Sequence, residues 1–304
     1  MTGGRAGRGL KPAVEASIRR LVAGRHPLLV VSDFDGTLSP IVLEPTAARI
    51  VPAARSALRR LARLAEARPE RVRVVVLSGR GARDVAGRVR VGGVAYHGNH
   101  GIETGTLARR GRAERLAVAS DAGLESFVPG ASALGRAVAH ELGSPPWLFV
   151  EDKGPSVAFH FRQAPDPEQA RAALLEAIEA VESEVGDHGL AAIDGRRVIE
   201  FRPAEAGGKG TAVERLIERE RPGAVLVMGD DRTDAEAFEA VRSAREAGKL
   251  DGLAVAVLSH LETPPEVHDA ADAALPDPIA AARVLTLVAR LLEQEGKPRP
   301  ETLS

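Results

Sequence analysis

The sequence predicts an α/β fold with a parallel sheet, interrupted by an inserted α+β domain. Short apolar runs such as 28–31 and 72–77 alternate with amphipathic helical patterns, an order typical of βαβ units. Over 104–203 the order changes to helices and antiparallel hairpins, which indicates a separate domain. We therefore predict that 12–103 and 204–296 form the core and that 104–203 forms the insert.

Each predicted element depends on apolar periodicity and on the turn residues that bound it. Pro12 and Pro52 suit the first turns of helices at 12–23 and 52–67. The other predicted helices are at 112–122, 131–142, 167–185, 211–220, 235–241 and 279–292. The other predicted strands are at 93–96, 147–151, 156–161, 190–193, 197–201, 224–228, 253–258 and 273–275.

Composition excludes several classes of function. The 304 residues suffice for two cores, and 44% hydrophobic with 27% charged residues is ordinary globular composition. The net charge of −1 and an aromatic content of 3% favour neither a nucleic-acid partner nor an anionic membrane. The absence of cysteine excludes disulfides, thiolate metal sites and a cysteine nucleophile.

The two ends of the chain carry little information. Residues 1–11 are rich in Gly and Arg and lack the apolar core of a signal peptide. No apolar run is long enough to span a bilayer. We expect a cytoplasmic protein with disordered ends at 1–11 and 297–304.

The most informative stretch is DFDGT at 33–37, directly after the first apolar strand. Alternation along an extended chain points Asp33 and Asp35 the same way, with Phe34 on the opposite face. In open α/β sheets, ligands bind at the carboxyl ends of the strands. A divalent cation would relieve the repulsion of two such carboxylates, of which one could act as a nucleophile and the other as a proton donor and acceptor.

Two simpler explanations of this stretch are weaker. An acidic loop that caps the next segment would explain a bare Asp-x-Asp, but the following Gly-Thr and the preceding strand make the pattern more specific. A calcium loop would need Asp or Asn at Thr37 and a Glu in a different register.

A second polar motif, Ser78-Gly79-Arg80, follows the strand at 72–77. A hydroxyl and the amides around a glycine are suitable donors to a phosphate oxygen. An ordinary turn is the alternative for Ser78, and a surface cap or ion pair is the alternative for Arg80.

The third predicted strand leads into HGNHG at 97–101, where the glycines let the backbone approach a ligand closely. Asn99 and His100 offer donors and acceptors suited to hydroxyl groups, although a glycine turn with a satisfied histidine explains them equally well. A zinc site at His97 and His100 lacks further ligands nearby in sequence.

Charged residues also mark one hairpin of the insert. Glu151 and Lys153 share a face of one predicted strand, and His160 and Arg162 share a face of its partner. Cross-strand charge pairing on a solvated sheet explains this set without any ligand.

Lys209 lies in AGGKGT (206–211), at the predicted start of a helix. The nucleotide-binding phosphate loop does not fit, because Ser or Thr does not directly follow the lysine. A lysine at a helix start opposes the helix dipole, which favours a role as an anion ligand.

The last motif, GDDRTD at 229–234, follows the strand at 224–228. Three carboxylates, those of Asp230, Asp231 and Asp234, would repel one another without a cation. The alternative is an acidic helix cap, and Asp234 could cap while Asp230 binds metal.

Four of these segments, which contain Asp33 and Asp35, Ser78, Lys209, and the carboxylates at 230–234, resemble in order the four motifs of the haloacid dehalogenase-like phosphatases. Those enzymes transfer a phosphoryl group through an aspartyl-phosphate. The large insert between the second and third motifs is similar to that of members whose cap closes over a small substrate. Within that superfamily the chain resembles the trehalose-6-phosphate phosphatases. The residues that carry this resemblance are DFDGTLSPI (33–41), LSGR (77–80), GNHG (98–101), EDK (151–153) with HFR (160–162), and GDDRTD (229–234).

The resemblance implies a Rossmann-like haloacid dehalogenase core with a cap domain, and roles for the acidic residues. Asp33 would be the nucleophile, and Asp35 would protonate the leaving sugar oxygen and later activate water. Mg²⁺ would be held by Asp33, the backbone carbonyl of Asp35 and Asp230. Asp231 and Asp234 would serve as supporting residues or ligands.

The same resemblance implies that Ser78 and Lys209 hold the phosphoryl oxygens. It also implies a set of residues that recognise the substrate. These candidates are Arg80, Asn99, His100, Glu151, Lys153 and Arg162.

The expected function is magnesium-dependent hydrolysis of trehalose 6-phosphate to trehalose and phosphate. We expect a monomer that binds a small sugar phosphate and is functionally paired with a trehalose-6-phosphate synthase. The alternatives are a phosphatase for another sugar phosphate, such as sucrose phosphate or mannosylglycerate phosphate, and a phosphomutase. A regulatory domain that kept only the fold would have lost the nucleophile or the acid, yet both aspartates are present.

Overall fold

The computed structural model divides the chain into two compact units, Met1–Val118 with Gly208–Ser304, and Ala119–Gly207. The residues described are 9–42, 44–120, 123–185, 189–195, 197–258 and 264–295. The predicted disordered ends, 1–11 and 297–304, lie outside the described residues except for 9–11, of which Leu10 packs against the core.

The first unit contains a mostly parallel sheet. In chain order its strands are β1 (Leu28–Ser32), β2 (Val72–Leu77), β3 (Val94–Gly98), β4 (Glu103–Leu107), β10 (Ala224–Gly229), β11 (Asp251–Val257) and β12 (Ala273–Leu275). Their spatial order is β12-β11-β10-β1-β2-β3-β4, with β4 antiparallel to β3 and all other pairs parallel. The two-residue strand β5 (Ala119–Ser120) follows β4 where the chain leaves this unit.

Two helical layers cover the sheet. Helices α1 (Pro12–Ala23), α2 (Pro52–Ala67), α3 (Ala82–Val89) and α9 (Pro278–Glu295) contribute to one apolar cluster, and α6 (Lys209–Glu220), α7 (Arg232–Glu246) and α8 (Pro265–Ala270) contribute to the other. In β1, residues 28–31 alternate between the two clusters, and all five residues of the strand are buried. A strand buried on both faces explains its continuous apolar run, and the predicted α/β fold is confirmed.

The structure corrects the prediction around 104–122. Residues 103–107 form β4 of the first sheet, so the second unit begins at Ala119 rather than at 104. The helix predicted at 112–122 is wrong, because Ala113–Arg115 forms only a short 3₁₀ turn before β5, and 121–122 lie outside the described residues. Leu116 instead packs into the core, where tertiary contact overrides the helical propensity of the segment.

The second unit is a layer of helices on an antiparallel sheet. Its elements are α4 (Val128–Glu141), β6 (Phe149–Asp152), β7 (Val157–His160), α5 (Pro167–Val185), β8 (Leu190–Gly195) and β9 (Val198–Pro203). The sheet order is β6-β7-β9-β8, and α4 and α5 bury the apolar side chains of one face. The strand predicted at 190–193 is longer in the structure, since β8 includes Asp194 and Gly195. Among the described residues, no helix has the length and apolar character needed to cross a membrane.

Candidate active site

Three neighbouring parallel strands end at one edge of the first sheet. Because β10, β1 and β2 are adjacent and parallel, the residues that follow them, Asp230, Asp33 and Ser78, come to the same edge. The Asp33 amide donates to the carbonyl of Met228 at 2.9 Å, which continues the β1–β10 pairing to the site. Asp33, Ser78 and Asp230 are all buried.

Lys209, the first residue of α6, supplies the positive charge at this edge. Its Nζ donates to Oδ1 of Asp33 at 2.7 Å and to Oδ1 of Asp234 at 2.8 Å. The side chain is only 1% exposed. Burial lowers the pKa of Lys209, but the carboxylates of Asp231, Asp234 and Asp33 raise it well above its ordinary value. The ammonium therefore stays charged beside Asp33.

Carboxylate oxygens of Asp33, Asp230 and Asp234 lie within 4.8 Å of one another. Burial raises the pKa of Asp33 well above its ordinary value; Lys209 lowers it, and neighbouring carboxylates, that of Asp230 foremost, raise it further. Burial and the carboxylates of Asp231 and Asp234 likewise raise the pKa of Asp230. A buried set of hard oxygen donors that repel one another fits a small divalent cation such as Mg²⁺.

Asp231 and Asp234 form the start of α7. The amide of Asp234 donates to Oδ1 of Asp231 at 3.0 Å, and the amide of Asp231 donates to Oδ2 of Asp234 at 3.2 Å, which is a reciprocal capping box. Asp234 Oδ2 also accepts the Asp230 amide at 3.0 Å. The cap residue is therefore Asp231, whose side chain is 53% exposed, and not Asp234.

Both oxygens of Asp234 are thus occupied by protein donors, Oδ1 by Lys209 and Oδ2 by two amides. This arrangement suits a residue that orients Lys209 and the Asp230 loop better than it suits a direct cation ligand. Asp230 also accepts a hydrogen bond from Thr37 Oγ1 at 3.2 Å.

Gly36 lets the first motif approach this cluster. Its φ is +79°, and a Cβ there would lie 1.9 Å from Oδ2 of Asp230. Only glycine accommodates both the left-handed backbone and the close approach.

Arg80 donates hydrogen bonds to both carboxylate oxygens of Asp35. Arg80 Nε donates to Oδ2 of Asp35 at 2.6 Å and Nη2 donates to Oδ1 at 2.9 Å, while Nη1 donates to Asp84 Oδ2 at 3.3 Å. The Asp35 side chain remains 34% exposed. Phe34 is buried in the core, as alternation predicts, and its ring lies 5.8 Å from the guanidinium carbon of Arg80. Arg80, which the resemblance gave as a substrate ligand, is here directed to Asp35.

The loops after β2 and β3 lie side by side. Ser78 Oγ accepts the amide of Arg80 at 3.2 Å, and the amide of His100 donates to the Ser78 carbonyl at 3.0 Å. Asn99 and His100 have φ of 51° and 58°, a left-handed pair that costs free energy and is typical of functional loops. A Cβ on Gly79 would lie 2.8 Å from the His100 ring, so glycine is needed for that ring to pack there.

The zinc alternative receives no support among the described residues, whose metal-capable group contains neither histidine. His97 is buried near the end of α6, and burial, with a smaller contribution from Arg219, lowers its pKa to about 4. A neutral buried histidine of this kind is a structural residue.

The second unit brings its charged residues together on one sheet. Lys153 Nζ donates to Glu200 Oε2 at 2.9 Å and lies 3.9 Å from Glu151 Oε2, while His160 Nε2 lies 2.9 Å from the same Glu151 oxygen. Arg162 lies two residues beyond the end of β7.

Glu200 and Arg202 were missed by sequence reasoning. Both are buried on β9, on the face opposite the apolar side chains of Ile199 and Phe201. Charged groups are seldom buried unless they are paired, which makes this sheet face a candidate polar site. The strict alternation of VIEFR (198–202) was the signal available in the sequence.

A family model described as trehalose-phosphatase matches residues 31–275. The chain belongs to the trehalose-phosphatase family. A curated trehalose-phosphate phosphatase from Mycobacterium avium is 38% identical over 278 residues, which cover 90% of this chain and 64% of that protein. The chain therefore spans just under two thirds of the length of this relative.

Solved structures share the fold of the trehalose-phosphatase family. The C-terminal domain of Candida albicans trehalose-6-phosphate phosphatase has a TM-score of 0.70 at 20% identity, covering 94% of this chain and 99% of that one. The C-terminal domain of a Candida albicans trehalose synthase regulatory protein has a TM-score of 0.65 at 15% identity, covering 90% and 97%. Since the fold serves both proteins, function must be argued from the site.

Proposed function

We propose that this protein is a magnesium-dependent phosphoric monoester hydrolase that converts trehalose 6-phosphate to trehalose and phosphate through an aspartyl-phosphate. The observation that carries the proposal is the paired arrangement at the end of β1. Asp33 is buried against Lys209 at 2.7 Å, whereas Asp35 is one-third exposed and oriented by Arg80. Two aspartates in such different surroundings suit two different chemical roles.

In the first half-reaction, an oxygen of the Asp33 carboxylate attacks phosphorus and the bond from phosphorus to the sugar oxygen breaks. The carboxylic acid of Asp35 gives its proton to that leaving oxygen, which frees the sugar. In the second half-reaction, Asp35 takes a proton from water as the water oxygen attacks phosphorus. The bond from phosphorus to Asp33 then breaks, which releases phosphate and restores both carboxyl groups.

The remaining residues neutralise and position the phosphoryl group. Lys209 contributes a fixed positive charge, and the Ser78 hydroxyl contributes a hydrogen bond. Asp33, Asp230 and the carbonyl of Asp35 would hold Mg²⁺, which when bound neutralises charge on the phosphoryl oxygens. The capping role of Asp231 and the three protein donors on Asp234 support a positioning role for both.

We assign sugar recognition to Asn99 and His100 in the first unit and to Glu151, Lys153 and Arg162 in the second. The second unit acts as the cap domain in this proposal. Glu200 joins the set because it holds Lys153 at 2.9 Å. A cytoplasmic location, a monomeric state and functional pairing with a trehalose-6-phosphate synthase stay predictions.

The proposal is tested by phosphate release from trehalose 6-phosphate, glucose 6-phosphate and sucrose 6-phosphate, each with and without Mg²⁺. We expect a strong, magnesium-dependent preference for trehalose 6-phosphate. Equal rates on the three esters would retain the phosphoryl chemistry but contradict the substrate assignment. Conversion to an isomeric sugar phosphate without phosphate release would indicate a phosphomutase instead.

A further inference from the structure

The first unit has a second concave site, whose lining does not include Asp33, Ser78, Lys209 or Asp230. It is a cavity of ≈ 600 Å³ beside α3. Its charged lining residues are Arg49, Arg83, Arg88, Arg90, Asp84 and Glu114. The lining therefore carries an excess of positive charge, in a space of the size that small molecules occupy.

Three of these arginines are fixed by backbone carbonyls at one nitrogen only. Arg83 Nε donates to the Leu116 carbonyl at 3.0 Å, and Arg90 Nε donates to the Gly87 carbonyl at 3.0 Å. Arg49 Nη1 donates to the carbonyls of Thr46 and Ala48, both at 2.8 Å. Within the described ranges, no carboxylate forms an ion pair with Arg49, Arg83 or Arg90, and their other N–H groups have no protein acceptor. These guanidinium groups are already held in place and still have unused N–H donors. An anion can therefore bind to them with little loss of side-chain conformational entropy.

The fourth arginine is only partly neutralised. Arg88 Nε donates to Asp84 Oδ2 at 2.7 Å, but the same oxygen also accepts from Arg80 Nη1 at 3.3 Å. One carboxylate is thus shared between two guanidinium groups. Burial, and then the positive charges of Arg59 and Arg90, lower the pKa of neighbouring Arg55.

Arg90 occupies a position that favours glycine. It is the C-terminal cap of α3, with a left-handed φ of 55°. Helices commonly end on glycine in this conformation, because a side chain there is disfavoured. The arginine therefore adds a charge to the cavity at a conformational cost to the helix end, and glycine at this position would remove the charge while relieving that cost.

We propose that this cavity binds a small phosphate-bearing anion with at least two negative charges. A guanidinium group can donate two parallel hydrogen bonds to the oxygens of a phosphate group. Several such groups around one cavity suit a diphosphate or a bisphosphorylated metabolite. The open donors belong to Arg49, Arg83 and Arg90, none of which has a role in the proposed phosphoryl transfer.

The test is titration calorimetry with inorganic pyrophosphate in metal-free buffer. We expect saturable binding to the wild-type chain, weakened at least about tenfold in the double variant Arg49→Gln/Arg83→Gln. The matched control is Arg19→Gln/Arg109→Gln, which removes the same charge from arginines that each pair with a single glutamate. That control should bind pyrophosphate within about twofold of wild type.

Arg90→Gly separates binding from folding. It should weaken pyrophosphate binding while leaving the melting temperature unchanged or higher, because glycine suits this cap position. Phosphatase activity without pyrophosphate should match wild type in both cavity variants. Unchanged pyrophosphate affinity in Arg49→Gln/Arg83→Gln would place the ion elsewhere and overturn the proposal. An equal loss of pyrophosphate affinity in the control double variant would show that only the overall charge of the protein matters. That result would also overturn the proposal.

Discussion

Replacing Arg80 tests whether it orients the general acid or binds substrate. The Arg80 fork holds both oxygens of Asp35, at 2.6 and 2.9 Å. A hydrogen bond to a charged group is worth about 1.5–3 kcal/mol, and the exposure of Asp35 argues for the lower end. If the transition state loses about 1.5 kcal/mol of stabilisation, kcat falls by about tenfold. We therefore expect Arg80→Gln to lower kcat on trehalose 6-phosphate by about tenfold, with KM little changed.

Two comparisons separate this role from a structural one. With p-nitrophenyl phosphate, whose leaving group departs without a proton, Arg80→Gln should slow the first, phosphorylating step much less than it does with trehalose 6-phosphate, as measured by the pre-steady-state burst of p-nitrophenol. In an Asp35→Asn background, Arg80→Gln should cause little further loss on trehalose 6-phosphate, because the group that it orients is already gone. A raised KM with unchanged kcat would show instead that Arg80 binds substrate and does not orient Asp35.

Three further predictions concern buried groups. Lys209→Met should cost about 3–5 kcal/mol of folding free energy in urea denaturation, because two buried carboxylates lose their cation; an unchanged midpoint would contradict this. His97 has a pKa near 4 in the folded protein, so the unfolded chain takes up its proton first as pH falls below 6.5. Stability should therefore drop by about 3 kcal/mol by pH 4, and denaturation of His97→Gln should lack this component. Gly36→Ala should raise the Mg²⁺ concentration needed for half-maximal activity and lower the melting temperature, since its Cβ would meet Asp230. Gly154→Ala, with the same φ of +79° but open space around its Cβ, should lose only about 1 kcal/mol and keep its Mg²⁺ dependence; equal behaviour would contradict the packing argument.

The sequence predicted those elements whose structure is decided locally. The strands at β1, β2 and β10 are apolar runs bounded by turn residues, and the helix at 167–185 coincides with α5. Because parallel neighbours end at one sheet edge, these strands were enough to predict that the acidic motifs meet. By contrast, β4 contains one buried apolar residue, Leu107, and exists through its pairing with β3.

The site details that sequence reasoning missed depend on tertiary contacts. Asp35 pairs with Arg80, which is 45 residues away in sequence, and no local sequence pattern predicts this ion pair. Whether Asp231 or Asp234 caps α7 depends on where the helix begins, and it begins at Arg232 rather than at 235. Glu200 became a candidate only once α4 and α5 showed which face of its strand is apolar.

If Asp33 carries the phosphoryl group during turnover, that group can be trapped on it. In Asp35→Asn, p-nitrophenyl phosphate can still phosphorylate Asp33, while hydrolysis lacks its base. With Mg²⁺ present, we predict a burst of one equivalent of p-nitrophenol and, after acid quench, a peptide mass that places one phosphoryl group on Asp33. A burst with the group on another residue, or steady turnover with no phosphorylated peptide, would contradict the account.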